Sequence, residues 1–329
     1  MKTKILISLF YTLVCSISLG ATLQRTILSH KGQLTQYDVN NWTGAISDAV
    51  AGDTVYFTSG FFPGDATITK PITLIGAGVA ETDAFWYNNA YQNALSGRGA
   101  TAQSTKIGGN FFVDIEGNPT LTKNMFEGFL LGGSIIISKS VKNLSVKRCQ
   151  FAYFYRADNS DAVCDKLVLE NCYIARVYCG FMTNPDLHNC YFEELYLQGN
   201  PLTIRNCGMN NLDGGTGCSY INCLIACWGY GEGGACTYLN CTIKDFNTTF
   251  GNNYINCWQH YYDNEAWPLS VAELTSLNHI GDDDTVVGPL GGPAPFTLIP
   301  SQPYVSSSSV TYNKSTKKLN VNITVKKGQ

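Results

Sequence analysis

Between about residue 140 and residue 260 the chain alternates apolar and polar positions in short bursts that recur at nearly one interval. Aligned on Cys149, Cys172, Cys190, Cys207, Cys223, Cys241 and Cys257, the steps are 23, 18, 17, 16, 18 and 16 residues. Three positions before the cysteine stand Val146, Leu169, Leu187, Ile204, Tyr220, Tyr238 and Tyr254; two positions after it stand Phe151, Ile174, Phe192, Met209, Ile225 and Ile243. Immediately before it comes Arg148 once, then Asn171, Asn189, Asn206, Asn222, Asn240 and Asn256. The unit is too short for a pair of helices, and its β-branched and aromatic content with period-two alternation predicts strands. Self-similarity at a fixed short period predicts a solenoid.

In a solenoid, coils stack at the strand spacing of roughly 4.8 Å, so equivalent side chains lie over one another. The cysteines are then expected as an inward column of reduced, buried thiols used for packing. The asparagines form a column at a bend, because Asn tolerates left-handed backbone angles and its amide can bond to the next Asn in the stack. The last coils pose a choice, since Tyr220, Tyr238 and Tyr254 are followed directly by Ile221, Leu239 and Ile255. Register continuity from Ile204 turns the tyrosines inward and leaves three aliphatics outside, for the C-terminal tail to cover. A slip of one residue would instead expose the tyrosines as an aromatic column.

Upstream, GAISDAVAGDTVYFTSGFF (Gly44 to Phe62) and ITKPITLIGAG (Ile68 to Gly78) read as a short amphipathic helix, a Gly-Asp turn and first strands. With the Asn-Cys ladder, this entry segment resembles the secreted right-handed parallel β-helix proteins, the pectate-lyase-like superfamily, over residues 35 to about 260. The expected fold is all-β: a single-stranded right-handed parallel β-helix with an N-terminal capping helix and a C-terminal β-hairpin tail. The helix domain is expected over residues 21–296 and the tail over 297–329, where Leu319, Val321, Ile323 and Val325 alternate with polar residues after the turn NKST. A short helix over Ser270 to Leu277 is expected to cover the last coil, followed by a Gly- and Pro-rich exit segment.

The opening MKTKILISLFYTLVCSISLG reads as a signal peptide over residues 1–20, which places the protein outside the cytoplasm, secreted or at the cell surface or periplasm. No later apolar run is long enough to span a bilayer. Charged residues make up only 14% of the chain and the net charge is -3 with no basic cluster, which argues against a nucleic-acid partner. Of thirteen cysteines, Cys164, Cys179, Cys218, Cys227 and Cys236 fall outside the main column, and one oxidised pair among them is left open.

Two positions before the ladder cysteine, the first four coils carry Lys147, Glu170, His188 and Arg205, an outward column of mixed charge. A longer loop, FYRADNSDAVCDK, supplies Arg156, Asp158, Asp161 and Asp165. In the lyases that the chain resembles, a basic residue takes the proton beside a uronic-acid carboxylate while Ca²⁺ or Arg neutralises that carboxylate. The resemblance therefore makes Lys147 or Arg205 a candidate base within a catalytic column shared with Glu170 and His188, and Asp158, Asp161 and Asp165 candidate Ca²⁺ ligands. Arg156, with Trp86, Tyr87 and Tyr91 in an excursion between residues 79 and 105, is a candidate ligand contact. The plainer alternatives are that alternating charges on adjacent rungs avoid repulsion and that the loop aromatics pin the excursion to the wall. The four histidines lack zinc spacing, and there is no phosphate loop, nucleophile elbow or HExxH. The expected function is recognition of an extracellular polysaccharide along one flank. A lyase or glycoside hydrolase acting on a uronic-acid-containing glycan, and a non-enzymatic stalk or adhesin, are the alternatives.

Overall fold

The computed structural model describes residues 24–79, 104–117, 119–121, 125–213, 215–226, 234–244, 246, 251–260, 269–298, 304–313 and 318–326. The expected signal peptide, Trp86, Tyr87, Tyr91 and Cys227 lie outside these residues. Only 7% of the chain is helical. Two long sheets dominate, one of 12 strands (sheet I) and one of 13 (sheet II), with a small third sheet of 3 strands beside them. Successive passes of the chain through sheet I pair in parallel, and so do successive passes through sheet II, which is the arrangement of a β-solenoid.

The repeat alignment is the observed register. In sheet I, Val146, Leu169, Leu187, Ile204, Tyr220, Tyr238 and Tyr254 are partners in turn, all pointing inward. In sheet II, Phe151, Ile174, Phe192, Met209, Ile225 and Ile243 do the same. The corner between the two sheets is turned by Arg148, Asn171, Asn189, Asn206, Asn222, Asn240 and Asn256, every one in the left-handed region with φ between 48° and 55°. An ordinary L-residue resists that region by roughly 1–2 kcal/mol, and Asn resists it least after Gly.

The tube is filled differently along its length. Near the N-terminus it holds phenylalanines packed edge to face, with Phe57 against Phe62 and Phe129 at centroid distances of 5.3 and 5.2 Å. Farther on, Cys149, Cys172, Cys190, Cys207, Cys223 and Cys241 are wholly buried, and all eleven described cysteines are free thiols. Each of these six ladder thiols donates to a backbone carbonyl, as Cys190 does to His188 at 3.2 Å. Tyr220, Tyr238 and Tyr254 then stack at 4.8 Å, so the register does not slip.

The beginning departs from expectation. Strands Arg25–His30 and Gln33–Asp38 form an antiparallel hairpin at the edge of sheet I, and Arg25–His30 pairs antiparallel with Thr54–Phe57. Helix α1, Trp42–Asp48, buries Trp42, Ala45 and Ile46 in the core of the tube. Downstream, helix α2, Val271–Ser276, carries a capping box between Ser270 and Glu273. Its Leu274 packs with Leu224, Ala226, Leu269, Val286 and Val287, so the helix lies on the outer flank of sheet II.

Residues 278–298 form a strap that runs back along the asparagine corner toward earlier coils. Asn222 donates to Asp282 (2.7 Å), Asn206 to Asp283 (3.1 Å), and Asn189 to the carbonyls of Pro289 (3.1 Å) and Gly291 (2.7 Å). Asn171 accepts from the Thr297 backbone at 3.2 Å, and Val79 donates to the Leu298 carbonyl. Among the described residues, the expected amide-to-amide ladder is thus confined to Asn240 donating to Asn222. The strap offers carbonyl and carboxylate acceptors at the earlier rungs, and the amides turn to them instead. Nor does this segment cover the outward aliphatics: Ile255 is 40% exposed, and Ile221 and Leu239 are partly exposed. It covers the outward row of sheet II instead, seating Phe296 against Tyr191 and Gly288 against Leu224. Strands Tyr304–Asn313 and Lys318–Lys326 pair antiparallel as the expected terminal hairpin.

Candidate functional site

The outward column of sheet I forms as expected, with Lys147, Glu170, His188 and Arg205 as register partners on successive rungs. The Lys147 ammonium donates to Glu170 Oε2. His188 Nε2 lies 3.7 Å from the same carboxylate oxygen, and His188 Nδ1 lies 3.0 Å from Asp186 Oδ1. Held first by the His188 imidazole and also by Lys147 against the cost of partial burial, the Glu170 carboxyl titrates at about 2. Reciprocally, Glu170 and Asp186 push His188 up. One rung earlier, buried Glu127 pairs with Arg148 at 3.1 Å. These are charges satisfying one another, and a Lys147 ammonium engaged with Glu170 has no lone pair free to take a substrate proton while that contact stands.

The loop residues do not join this column. Strand Gln150–Arg156 carries the chain across sheet II before the loop starts, so Arg156 and Asp158 lie on the far side of that sheet from Lys147. Asp165 belongs to the third sheet, and its Oδ1 accepts from Thr183 Oγ1 at 2.9 Å and Asn184 Nδ2 at 3.3 Å. Among the described residues, no group of three or more His, Cys, Asp or Glu side chains gathers as metal ligands.

A second outward face lies on sheet II, beyond the reach of the strap. Thr67, Phe112, Ile136 and Tyr155 are register partners on successive rungs. Tyr178 follows, its ring 6.5 Å from that of Tyr155 and turned by 72°. Tyr196 comes next, stacked on Tyr178 at 4.8 Å and 6°, and then Asp213. Phe112, Tyr155, Tyr178 and Tyr196 are all partly exposed. At rungs of roughly 4.8 Å, Phe112 to Tyr196 is an apolar ribbon about 19 Å long, interrupted at Ile136, which is buried, so that its open stretch runs from Tyr155 to Tyr196.

Polar groups flank the ribbon. In the adjoining row Tyr153, Arg176, Glu194 and Asn211 are partners in turn. Arg176 Nε sits 2.6 Å from Glu194 Oε2 while its guanidinium lies 5.7 Å from the Tyr153 ring centre. The Tyr196 hydroxyl donates to Glu194 at 2.7 Å, and that of Tyr173 donates to Glu193 at 2.5 Å. The arrangement is a row of aromatic groups edged by acceptors and one guanidinium, all anchored on a rigid sheet. The sequence raises an exposed aromatic column only at Tyr220, Tyr238 and Tyr254, and only if the register were to slip, which it does not. The signal for the ribbon was present in the same alignment, because Tyr155, Tyr178 and Tyr196 each fall six residues after a ladder cysteine.

Compared with protein-family models, with curated proteins and with solved structures, the chain matches none.

Proposed function

We propose that this is an exported, non-catalytic solenoid of the right-handed parallel β-helix type that recognises an extracellular polysaccharide along the outer face of sheet II. The observation that carries the reading is the Phe112 to Tyr196 ribbon with Arg176 and Glu194 beside it. Tyr155, Tyr178 and Tyr196 leave contiguous, partly exposed aromatic surface on three successive rungs, and aromatic surface left open to solvent invites association. Pyranose rings offer apolar C–H groups and equatorial hydroxyls, which match phenol edges and hydroxyls flanked by carboxylate acceptors. The linear form of the ribbon suits a linear polymer better than a small molecule, for which an enclosed pocket would be needed. Right-handed coiling is supported by the general hand of parallel β crossovers.

The lyase alternative draws on the sheet I column, where Lys147 and Glu170 neutralise one another. Two assays separate the readings. Affinity electrophoresis of the full chain through gels containing different polysaccharides should show retardation that Tyr155→Ala and Tyr178→Ala abolish. Incubation with uronic-acid polymers, with and without Ca²⁺, should release no unsaturated product absorbing in the ultraviolet. Retardation untouched by both substitutions would refute the sheet II assignment, and product formation lost in Lys147→Ala would establish the lyase.

A further inference from the structure

The charges around the ribbon bear on the kind of polymer it takes, an inference that rests on the polysaccharide reading above. We infer that the sheet II face is selective for an uncharged or N-acetylated glycan chain lying along the solenoid axis, and that it rejects uronic-acid polymers.

Two features carry this. First, the acidic groups outnumber the basic ones. Asp158 lies two residues beyond the end of the strand that carries Tyr155, Glu193 holds the Tyr173 hydroxyl, Glu194 lies in the Tyr153 row, and Asp213 continues the tyrosine row. Against these four carboxylates stand Arg156, at the end of the strand that carries Tyr155, and Arg176. Arg176 is already committed to Glu194 and to the Tyr153 ring, so it is poorly placed to neutralise a carboxylate on a ligand. A polyanion would therefore meet net repulsion along the whole strip, which is the electrostatic means by which surfaces exclude wrong partners.

Second, the polar groups at the ribbon are chiefly acceptors. Glu193 accepts from the Tyr173 hydroxyl and keeps lone-pair capacity beyond it, whereas Glu194 already accepts from both the Tyr196 hydroxyl and Arg176, so the spare acceptor capacity lies chiefly on Glu193. Sugar hydroxyls and acetamido N–H groups are donors that can use this capacity; a uronate carboxylate is not. Direction follows from geometry. Tyr178 and Tyr196 stack on each other along the axis, so they present ring edges and hydroxyls outward, while Tyr155 is turned by 72° from Tyr178 and breaks the stack. The rings repeat at the rung spacing, a distance close to the advance of one sugar in an extended chain. A polymer laid along the axis meets an equivalent group at each sugar; one laid across it meets the strip once.

The test is titration calorimetry of the full chain with cellohexaose, chitohexaose, hexagalacturonate and an alginate oligomer of similar length. Binding is expected for at least one of the first two and not for the last two, with a loss of roughly tenfold or more in Tyr178→Ala, as befits one aromatic contact. The paired reversal Glu193→Lys with Asp213→Lys, both at exposed positions, should confer measurable, salt-weakened binding of hexagalacturonate. Thermal unfolding of each variant confirms that it is folded. Hexagalacturonate binding by the unaltered chain, lost in Tyr178→Ala, overturns the selectivity while leaving the sheet II site in place. Selectivity without any gain in the reversed variant overturns the electrostatic explanation. Binding of no oligomer, or binding indifferent to Tyr178→Ala, overturns both the inference and the site beneath it.

Discussion

Asn189 is the place where the strap and the solenoid are most directly joined, and its replacement has a calculable outcome. Its buried amide donates to two buried carbonyls, Pro289 at 3.1 Å and Gly291 at 2.7 Å, from a backbone with φ of 50°. Asn189→Gly keeps the left-handed backbone and removes both bonds. The Gly291 carbonyl is left unpaired at a cost of roughly 1–3 kcal/mol, while the Pro289 carbonyl keeps the Phe296 amide at 2.7 Å and loses one bond worth about 1 kcal/mol, so a total of about 2–4 kcal/mol is expected. Asn189→Ala adds the left-handed penalty of roughly 1 kcal/mol. Because the strap is tied separately at Asn171, Asn206 and Asn222, the loss should appear first as local opening. The Gly288 amide, bonded to the Asn222 carbonyl at 2.7 Å, reports that opening by hydrogen exchange. Its exchange should accelerate by roughly 30- to 1000-fold in Asn189→Gly, from the conversion of 1.36 kcal/mol per decade. Asn256 is the control: it has the same φ of 50° but is exposed, so Asn256→Gly should shift stability by only a few tenths of a kcal/mol. Equal effects of the two glycine substitutions on Gly288 exchange would refute the idea that amide contacts hold the strap.

Other outcomes follow from particular contacts. His188 titrates above its ordinary 6.5, so its protonated form stabilises the fold below that value, and the contribution is lost as pH rises through the raised pKa. Glu170 is depressed to about 2, so its contribution is present above 4.5 and lost as pH falls toward 2. Thermal midpoints should therefore decline from pH 6.5 upward more steeply in the unaltered protein than in His188→Gln, and parallel curves would count against the pairing. Native alkylation followed by mass spectrometry should label partly exposed Cys257 well before the buried ladder thiols from Cys149 to Cys241, whereas a disulfide between any of these would contradict their packing role. Gly76→Ala should destabilise by more than about 2 kcal/mol in denaturant titration, because the added Cβ would lie 2.2 Å from the Gly128 carbonyl oxygen, a backbone atom with nowhere to move. A variant as stable as the parent would mean that the coils there can separate.

The solenoid was legible because its physics repeats. A coil that places one side chain inside must place its equivalents inside on every rung, so Val146 predicts Leu169 and Ile204 predicts Tyr220. The left-handed corner was legible for the same reason, since one residue type was selected there six times. The candidate site was only half legible. The Lys147 to Arg205 column could be located from spacing, but whether those charges wait for a ligand or neutralise each other depends on side-chain approach, which Glu170 settled by taking both neighbours. The aromatic ribbon was legible only in part: Tyr155, Tyr178 and Tyr196 share one spacing from a ladder cysteine, but Phe112 and Ile136 belong to coils without one and join the row through a register that only pairing reveals.

Sequence alone determined the all-β character, the rung-by-rung register and the inward direction of the thiols, because these are local periodic properties that a chain must carry on every turn. Tertiary structure decided which outward rows remain open. The N-terminal hairpin joins the edge of sheet I, and the strap covers one row of sheet II while leaving the tyrosine row uncovered. The strap's ties to the asparagine corner span 60 residues or more, and 102 between Asn189 and Gly291. They depend on shape and acceptor placement at a corner that no repeat encodes, and that is why exposure, and with it the binding face, had to be seen in three dimensions.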